Sequence, residues 1–195
     1  MKKGIVSLIG ILLLVNCFTS QNAKRYFQLQ LPGEFTANLK KINKVLLIEA
    51  VGAEDLYDDF RVIYRKSPYQ INYYAYDFWV KKPGELIGTA LVHFFSDSGL
   101  FNRVIDKLSD TEPDLILKSR LFSIEEVDSN NKWYARLSLE LDFRDFKSGE
   151  SLFLYRFDKK KVLPKRDVTL LPRMISEILK EELDSLVQPL SQKVE

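Results

Sequence analysis

The chain has 195 residues, a formal net charge of +2, 46% hydrophobic residues, one cysteine and one histidine. This length fits one domain with a substantial core, and the near balance of charge argues against nucleic acid as a partner. A lone cysteine excludes an internal disulfide, and a single histidine argues against a zinc site and against Ser-His-Asp or Cys-His catalysis.

The first residues have the layout of a secretory signal followed by a tether. Lys2 and Lys3 precede an apolar run, Ile5 to Val15, which is shorter than the roughly 20 residues that a membrane-spanning helix needs. We predict that 1–16 form a signal peptide, 17–24 an anchor and tether, and 25–195 one domain. Without 1–16, Lys+Arg falls from 29 to 27 and equals the 27 Asp+Glu.

The only cysteine ends this apolar run. Leu14, Val15 and Cys17 resemble the lipobox of bacterial lipoproteins, in which the cysteine sulfur receives a diacylglycerol; Asn16 stands where Gly, Ala or Ser is usual. The alternative is a secreted protein with a free cysteine. We expect Cys17 to carry the lipid, whose acyl chains, such as palmitate, hold a protein on a bilayer without a spanning helix. Phe18, rather than Asp, follows it, which favours the outer membrane, with the protein facing the periplasm.

Strand patterns dominate the next third of the chain, and a helix follows them. Strands are predicted at 24–31, 44–52 and 100–106, and at 61–76, where Ser67-Pro68 indicates a hairpin or sharp corner. Pro83 and Gly99 bound the first helix. Its apolar stripe consists of Leu86, Ile87, Ala90, Leu91, Phe94 and Phe95.

Three strands and a second helix complete the pattern. The segments 114–127, 133–143 and 151–157 predict an antiparallel meander, and 171–187 predicts a helix. The apolar stripe of this helix is Met174, Ile175, Ile178, Leu179, Leu183, Leu186 and Val187. The fold class is therefore α+β, a mostly antiparallel sheet with two amphipathic helices packed on one face.

Two surface segments are candidates for contact with a partner or lipid. The first is an aromatic run on a predicted strand. Its rings point to both faces of that strand, so they cannot all enter one core. Its rings are Tyr69, Tyr73, Tyr74, Tyr76, Phe78 and Trp79. Packing between sheet and helix is the alternative. The second is 158–161, DKKK, which either touches anionic headgroups or forms a solvated turn. His93 lies beside the first helical stripe, which indicates a structural position.

Four segments, in order, resemble the ABC-type transport auxiliary lipoprotein family. They are RYFQLQLP, FRVIYRKSPYQINYYAYDFWVKKPGELIGTALVHFFSDSGLF, PDLILKSRLFSIEEV and ARLSLELDF. The resemblance implies a non-enzymatic lipoprotein that works with an MCE-domain protein, an ABC permease and its ATPase to move phospholipid or other hydrophobic molecules between membranes. It implies no metal, no catalytic residue and no cofactor beyond the lipid on Cys17, and it leaves a homo-oligomer open. The alternative is an envelope-assembly or structural lipoprotein unrelated to ABC transport.

Overall fold

The structure, a computed structural model, describes residues 23–33, 41–108, 111–129 and 131–194. Within these ranges the chain forms one mixed sheet and two α-helices, with two short 3₁₀ helices at Asp55–Tyr57 and Val168–Leu170. The strands are β1 (Arg25–Phe27), β2 (Ile42–Ile48), β3 (Gly52–Ala53), β4 (Arg61–Ser67), β5 (Gln70–Trp79), β6 (Phe101–Ile105), β7 (Leu115–Ser129), β8 (Lys132–Asp145) and β9 (Ser151–Leu163). The helices are α1 (Pro83–Ser98) and α2 (Leu171–Lys193).

Strand β7 organises the sheet because it is long enough to pair with several strands along one edge. That edge takes β2, β3 and β4 in turn, all parallel to β7. Its other edge pairs with β8, which pairs with β9, and both pairings are antiparallel. The predicted meander is therefore confirmed, as is the hairpin of β4 and β5 at Ser67-Pro68.

The prediction of a mostly antiparallel sheet was wrong. Besides the three parallel strands on β7, β1 pairs parallel with β5, and β6 pairs parallel with β2. Parallel neighbours must be joined by longer connections, and the one between β2 and β6 contains β3, β4, β5 and α1. Parallel pairing between strands that lie far apart in the sequence therefore makes the sheet mixed.

Both helices pack on the same face of the sheet. The Phe95 ring of α1 lies 5.7 Å from that of Phe143 on β8, and Glu182 of α2 accepts a hydrogen bond from Tyr155 on β9. Phe143 and Tyr155 project from the same face, since Phe143 pairs with Phe153, two residues from Tyr155. We call this the helix face and its opposite the open face. The residues of both predicted apolar stripes are buried.

Local chemistry explains where the helices begin and end. Pro83 occupies the first turn of α1, and Gly99 ends it at a φ of 61°. Helix α2 runs six residues past its predicted end at Val187, through Pro189. Proline removes one backbone donor there. The buried side chains of Leu190 and Val194 hold the last turn against the core instead.

A β-bulge changes the facing of β7 part-way along. Leu121 pairs with Leu139, whereas Ser123 pairs with Ser138, so Phe122 is the extra residue. Before the bulge, odd-numbered residues of β7 face the helices; after it, even-numbered residues do. The neighbouring carboxylates Glu125 and Glu126 consequently lie on opposite faces, and both are buried.

Candidate functional site

The six predicted aromatic residues divide between core and surface. Trp79 is buried in the core, and Tyr74 is half-buried on the helix face, with its ring 4.8 Å from that of Tyr64. Tyr69, at the tip of the β4–β5 hairpin, is 97% exposed. Tyr76 is also exposed. Sequence reasoning located the segment but could not assign each ring.

The remaining aromatic residues, Tyr73 and Phe78, lie on the open face. Phe78 pairs in register with Tyr26 of β1, and the two rings are 5.8 Å apart. Tyr73 and Ile71 follow on β5, where Ile71 pairs with Arg65, a residue that points to the open face. We call Tyr26, Ile71, Tyr73 and Phe78 the aromatic patch.

Two cations lie over the rings of the aromatic patch. The Lys24 Nζ is 5.4 Å from the centre of the Phe78 ring, and the Arg61 guanidinium carbon is 3.9 Å from the centre of the Tyr73 ring. Asp59 orients the Arg61 guanidinium through a salt bridge and has its own pKa lowered by that hydrogen bond. The patch therefore consists of aromatic and aliphatic side chains, with the Lys24 cation and the Arg61–Asp59 ion pair at its margin.

Strand β1 is fixed to β5 beside the patch. Arg25 Nε donates to the buried Asp77 at 2.6 Å, and this bond raises the pKa of Arg25. The Trp79 backbone N–H donates to Phe60 O at 2.6 Å, a bond between the end of β5 and the residue that precedes β4. The point where the N-terminal segment enters the domain is thus held rigidly at the edge of the aromatic patch.

A buried ionic network lies farther along the open face. Each carboxylate oxygen of Glu125 accepts two hydrogen bonds, from Tyr57 Oη at 2.9 Å, Arg65 Nε at 3.0 and 3.1 Å, and Arg136 at 3.0 Å. Arg136 also binds Asp158 through two bonds of 2.8 and 2.6 Å. We call these five residues the Glu125 network. Sequence reasoning missed it because an isolated Glu-Glu pair in a strand does not reveal distant partners.

The network joins elements rather than presenting a reactive group. It connects β4, β7, β8, β9 and the first 3₁₀ helix. Burial, followed by the charge of Glu125, raises the pKa of Tyr57, and the hydrogen bond with Asp158 raises that of Arg136. Both oxygens of the central carboxylate are already occupied by donors, so its role is to hold the strands together.

Glu126 forms a separate contact on the helix face. Both of its oxygens lie 3.0 Å from Tyr74 Oη. Burial raises the pKa of Glu126, although the hydrogen bond from Tyr74 opposes this shift. The carboxylate thereby holds the Tyr74 ring, which the sequence predicted as a surface contact, on the helix face.

Two cavities open on the described domain. One, of about 960 Å³, adjoins the Glu125 network and is bordered by Lys66, Lys160 and Asp128. The other, of about 750 Å³, lies between α1 and the segment after β1. Its apolar lining is Leu29, Leu31, Val80, Leu86, Ala90 and Phe94, and its polar lining includes His93 and Lys180. Both volumes fall within the range of ligand sites.

The segment 158–161 is neither a turn nor a cationic cluster. It lies within β9, where Lys161 pairs with Glu177 at 2.8 Å and Glu181 at 2.6 Å. Lys159 pairs with Glu182 at 3.2 Å. The prediction of a solvated turn was wrong. The alternation of β9 places Lys159 and Lys161 beside acidic residues of α2, which neutralise their charges.

Other predicted positions are exposed or lie outside the described residues. His93 is exposed at the margin of the smaller cavity rather than at the edge of the core. Cys17 lies outside the described residues. Within the described ranges, neither helix is long and apolar enough to span a bilayer, and no three His, Cys, Asp or Glu side chains are grouped so as to hold a metal ion.

Comparison with solved structures establishes the fold. A crystal structure of a Xanthomonas campestris protein, described by the family model DUF330, gives a TM-score of 0.74 at 15% identity, covering 84% of this chain and 92% of that one. A crystal structure of an uncharacterized protein gives 0.69 at 15% identity, covering 87% and 99%. The hypothetical protein CT253 of Chlamydia trachomatis gives 0.50 at 8% identity, covering 78% and 98%. The sequence matches no family model and no curated protein.

Proposed function

We propose that this protein is an outer-membrane lipoprotein, anchored by Cys17 and facing the periplasm, that serves as a non-enzymatic accessory component of an MCE/ABC-type transport system. The system would move phospholipid or other hydrophobic molecules between membranes. The observation that carries the proposal is the ordered set of family-like segments, together with a fold shared with the DUF330 protein over 92% of that chain.

The arrangement of the described domain supports a binding role. Its buried carboxylates are engaged by tyrosine and arginine donors, and its two helices leave the open face with exposed aromatic and basic side chains. The smaller cavity combines apolar and charged lining residues, as sites for amphipathic ligands do. A rigid sheet with such surfaces suits holding a partner or a lipid.

The first test is a pull-down of the full-length tagged protein in a mild detergent, with mass spectrometry of the proteins and lipids that it retains. We expect an MCE-domain protein together with its permease and ATPase. Recovery of an assembly factor or an outer-membrane barrel without ABC components would contradict the transport function and favour the envelope-assembly alternative.

The second test concerns the anchor. Cys17→Ala removes the only thiol that could accept lipid, so we expect the variant to lose the mass of the acyl groups and its sedimentation with membranes. The matched control is Ser20→Ala, which leaves the thiol in place. A Cys17→Ala protein that still sediments with membranes after removal of its signal peptide would show that the anchor assignment is wrong.

A further inference from the structure

The aromatic patch has the chemistry of a membrane interface. Tyr26 is 60% exposed, and Ile71 and Tyr73 are also exposed. Tyrosine presents an apolar ring and a polar hydroxyl, and such side chains concentrate at the headgroup level of bilayers. Lys24 lies over the Phe78 ring, where its charge can approach lipid phosphates, whereas Arg61 over the Tyr73 ring is paired with Asp59.

Covalent connection places the patch close to the anchor. Eight residue steps separate Cys17 from Arg25, and a fully extended chain of that length spans at most about 28 Å. The chain enters the domain through Lys24 and Tyr26, which are themselves in contact with Phe78. Lipid on Cys17 therefore keeps this end of the open face within one short tether of the bilayer.

We propose that the aromatic patch lies in the headgroup region of the bilayer that holds the lipid on Cys17. The domain is then oriented with β1 and β5 against the membrane and with α2 directed away from it. This orientation rests on the lipid anchor of the proposed function. Although the mature chain as a whole is balanced in charge, the exposed rings of the patch and the adjacent Lys24 provide the attraction.

Depth-dependent quenching tests the orientation with the complete lipidated protein. Because Cys17 is the only native cysteine and its sulfur is acylated, a newly introduced cysteine can be labelled specifically. Ile71→Cys places a fluorescent probe in the patch, and Gln188→Cys places it at an exposed position of α2. Each protein is reconstituted into vesicles of phosphatidylethanolamine and phosphatidylglycerol that contain a headgroup-linked nitroxide lipid.

We expect both proteins to float with the vesicles, and the nitroxide to quench the patch probe at least about twofold more than the α2 probe, because a sheet and a helix layer about 10 Å apart separate the two positions. Tyr26→Ser combined with Tyr73→Ser should reduce that difference in the Ile71→Cys background. Far-ultraviolet circular dichroism of each variant checks that it is folded.

The remaining outcomes separate the two hypotheses. Flotation with equal quenching of both probes would overturn the orientation and leave the anchor standing. Absence of flotation would overturn both. Quenching that stays equal on vesicles, with shielding of the patch probe only when an MCE-domain partner is added, would show that the patch is a protein interface.

Discussion

Removing the central carboxylate of the Glu125 network should strongly destabilise the domain. Glu125→Ala leaves Arg65 without its ion-pair partner, and the side chains of Arg65 and Arg136 are only 18% and 27% exposed. Breaking a buried ion pair by deleting one member costs about 3 to 5 kcal/mol. With a urea m-value of about 2 kcal/mol per molar, the midpoint of unfolding should fall by about 1.5 to 2.5 M.

Asp158→Ala is the matched control because Asp158 binds the same guanidinium, on Arg136, but is 48% exposed. Exposed ion pairs contribute about 0 to 1 kcal/mol, so its midpoint should fall by no more than about 0.5 M. Urea unfolding followed by circular dichroism and tryptophan fluorescence measures both. Equal shifts for the two variants would refute the conclusion that burial of the carboxylate makes this network stabilising.

A paired replacement separates loss of the network from loss of a single side chain. Glu125→Met with Arg65→Met removes the charge and its main partner together, and apolar replacement of a complete buried pair is often close to neutral. The double variant should therefore be more stable than Glu125→Ala, by about 1 kcal/mol or more. A double variant less stable than the single one would indicate that packing, rather than an unpaired charge, determines the result.

Two further changes test the packing of α1 and the burial of Glu126. A Cβ on Gly84 would lie 2.8 Å from the Val51 carbonyl oxygen, so Gly84→Ala should lower the free energy of unfolding in urea by about 1 to 3 kcal/mol. On Gly88 the Cβ would lie 3.5 Å from a Val51 methyl, so Gly88→Ala should be neutral or stabilising by up to about 1 kcal/mol. The reverse order of stability would contradict the packing of α1. Burial raises the folded-state pKa of Glu126 above 4.5, so the unfolded chain releases this proton first as the pH rises. The stability of the wild type relative to Glu126→Gln should therefore fall as pH rises from 4.5 through the raised pKa. A pH-independent difference in unfolding free energy would contradict this assignment.

Local pattern was sufficient for the elements that are close in sequence. The β7–β8–β9 meander follows from alternation and turn-forming residues, and the two helices follow from apolar stripes with Pro83 and Gly99 at the ends of α1. These signals act within a few residues, so they can be recognised without knowledge of the rest of the chain.

The parallel pairings required information that the local pattern does not contain. An alternating or continuously apolar segment has the same appearance whether its neighbour is parallel or antiparallel. The order in which β2, β3 and β4 align along β7 depends on contacts between residues more than 50 positions apart, such as Tyr64 with Glu126. The same limit hid the partners of Glu125, since Tyr57, Arg65 and Arg136 come from three separate elements.

The sequence indicated that the aromatic run 69–79 is partly exposed, but it did not indicate which rings are exposed. Composition alone indicated that its rings could not all share one core. The irregular pairing of β4 with β5, where Arg61 is opposite Phe78 and Ile63 is opposite Tyr73, decided which ring faces which way. An alternation rule applied straight through 69–79 would have placed Tyr74 and Phe78 on the same face.

The bulge at Phe122 gives β7 one residue more than regular pairing with β8 needs. Deleting Phe122 would leave Leu121 opposite Leu139 and Ser123 opposite Ser138, so Glu125 and Glu126 would keep their present faces. Loss of one residue from the regular part of the strand would instead turn the side chains beyond it to the opposite face. A single-codon deletion at Phe122, which is only partly buried, should therefore disturb the domain less than a deletion elsewhere in β7.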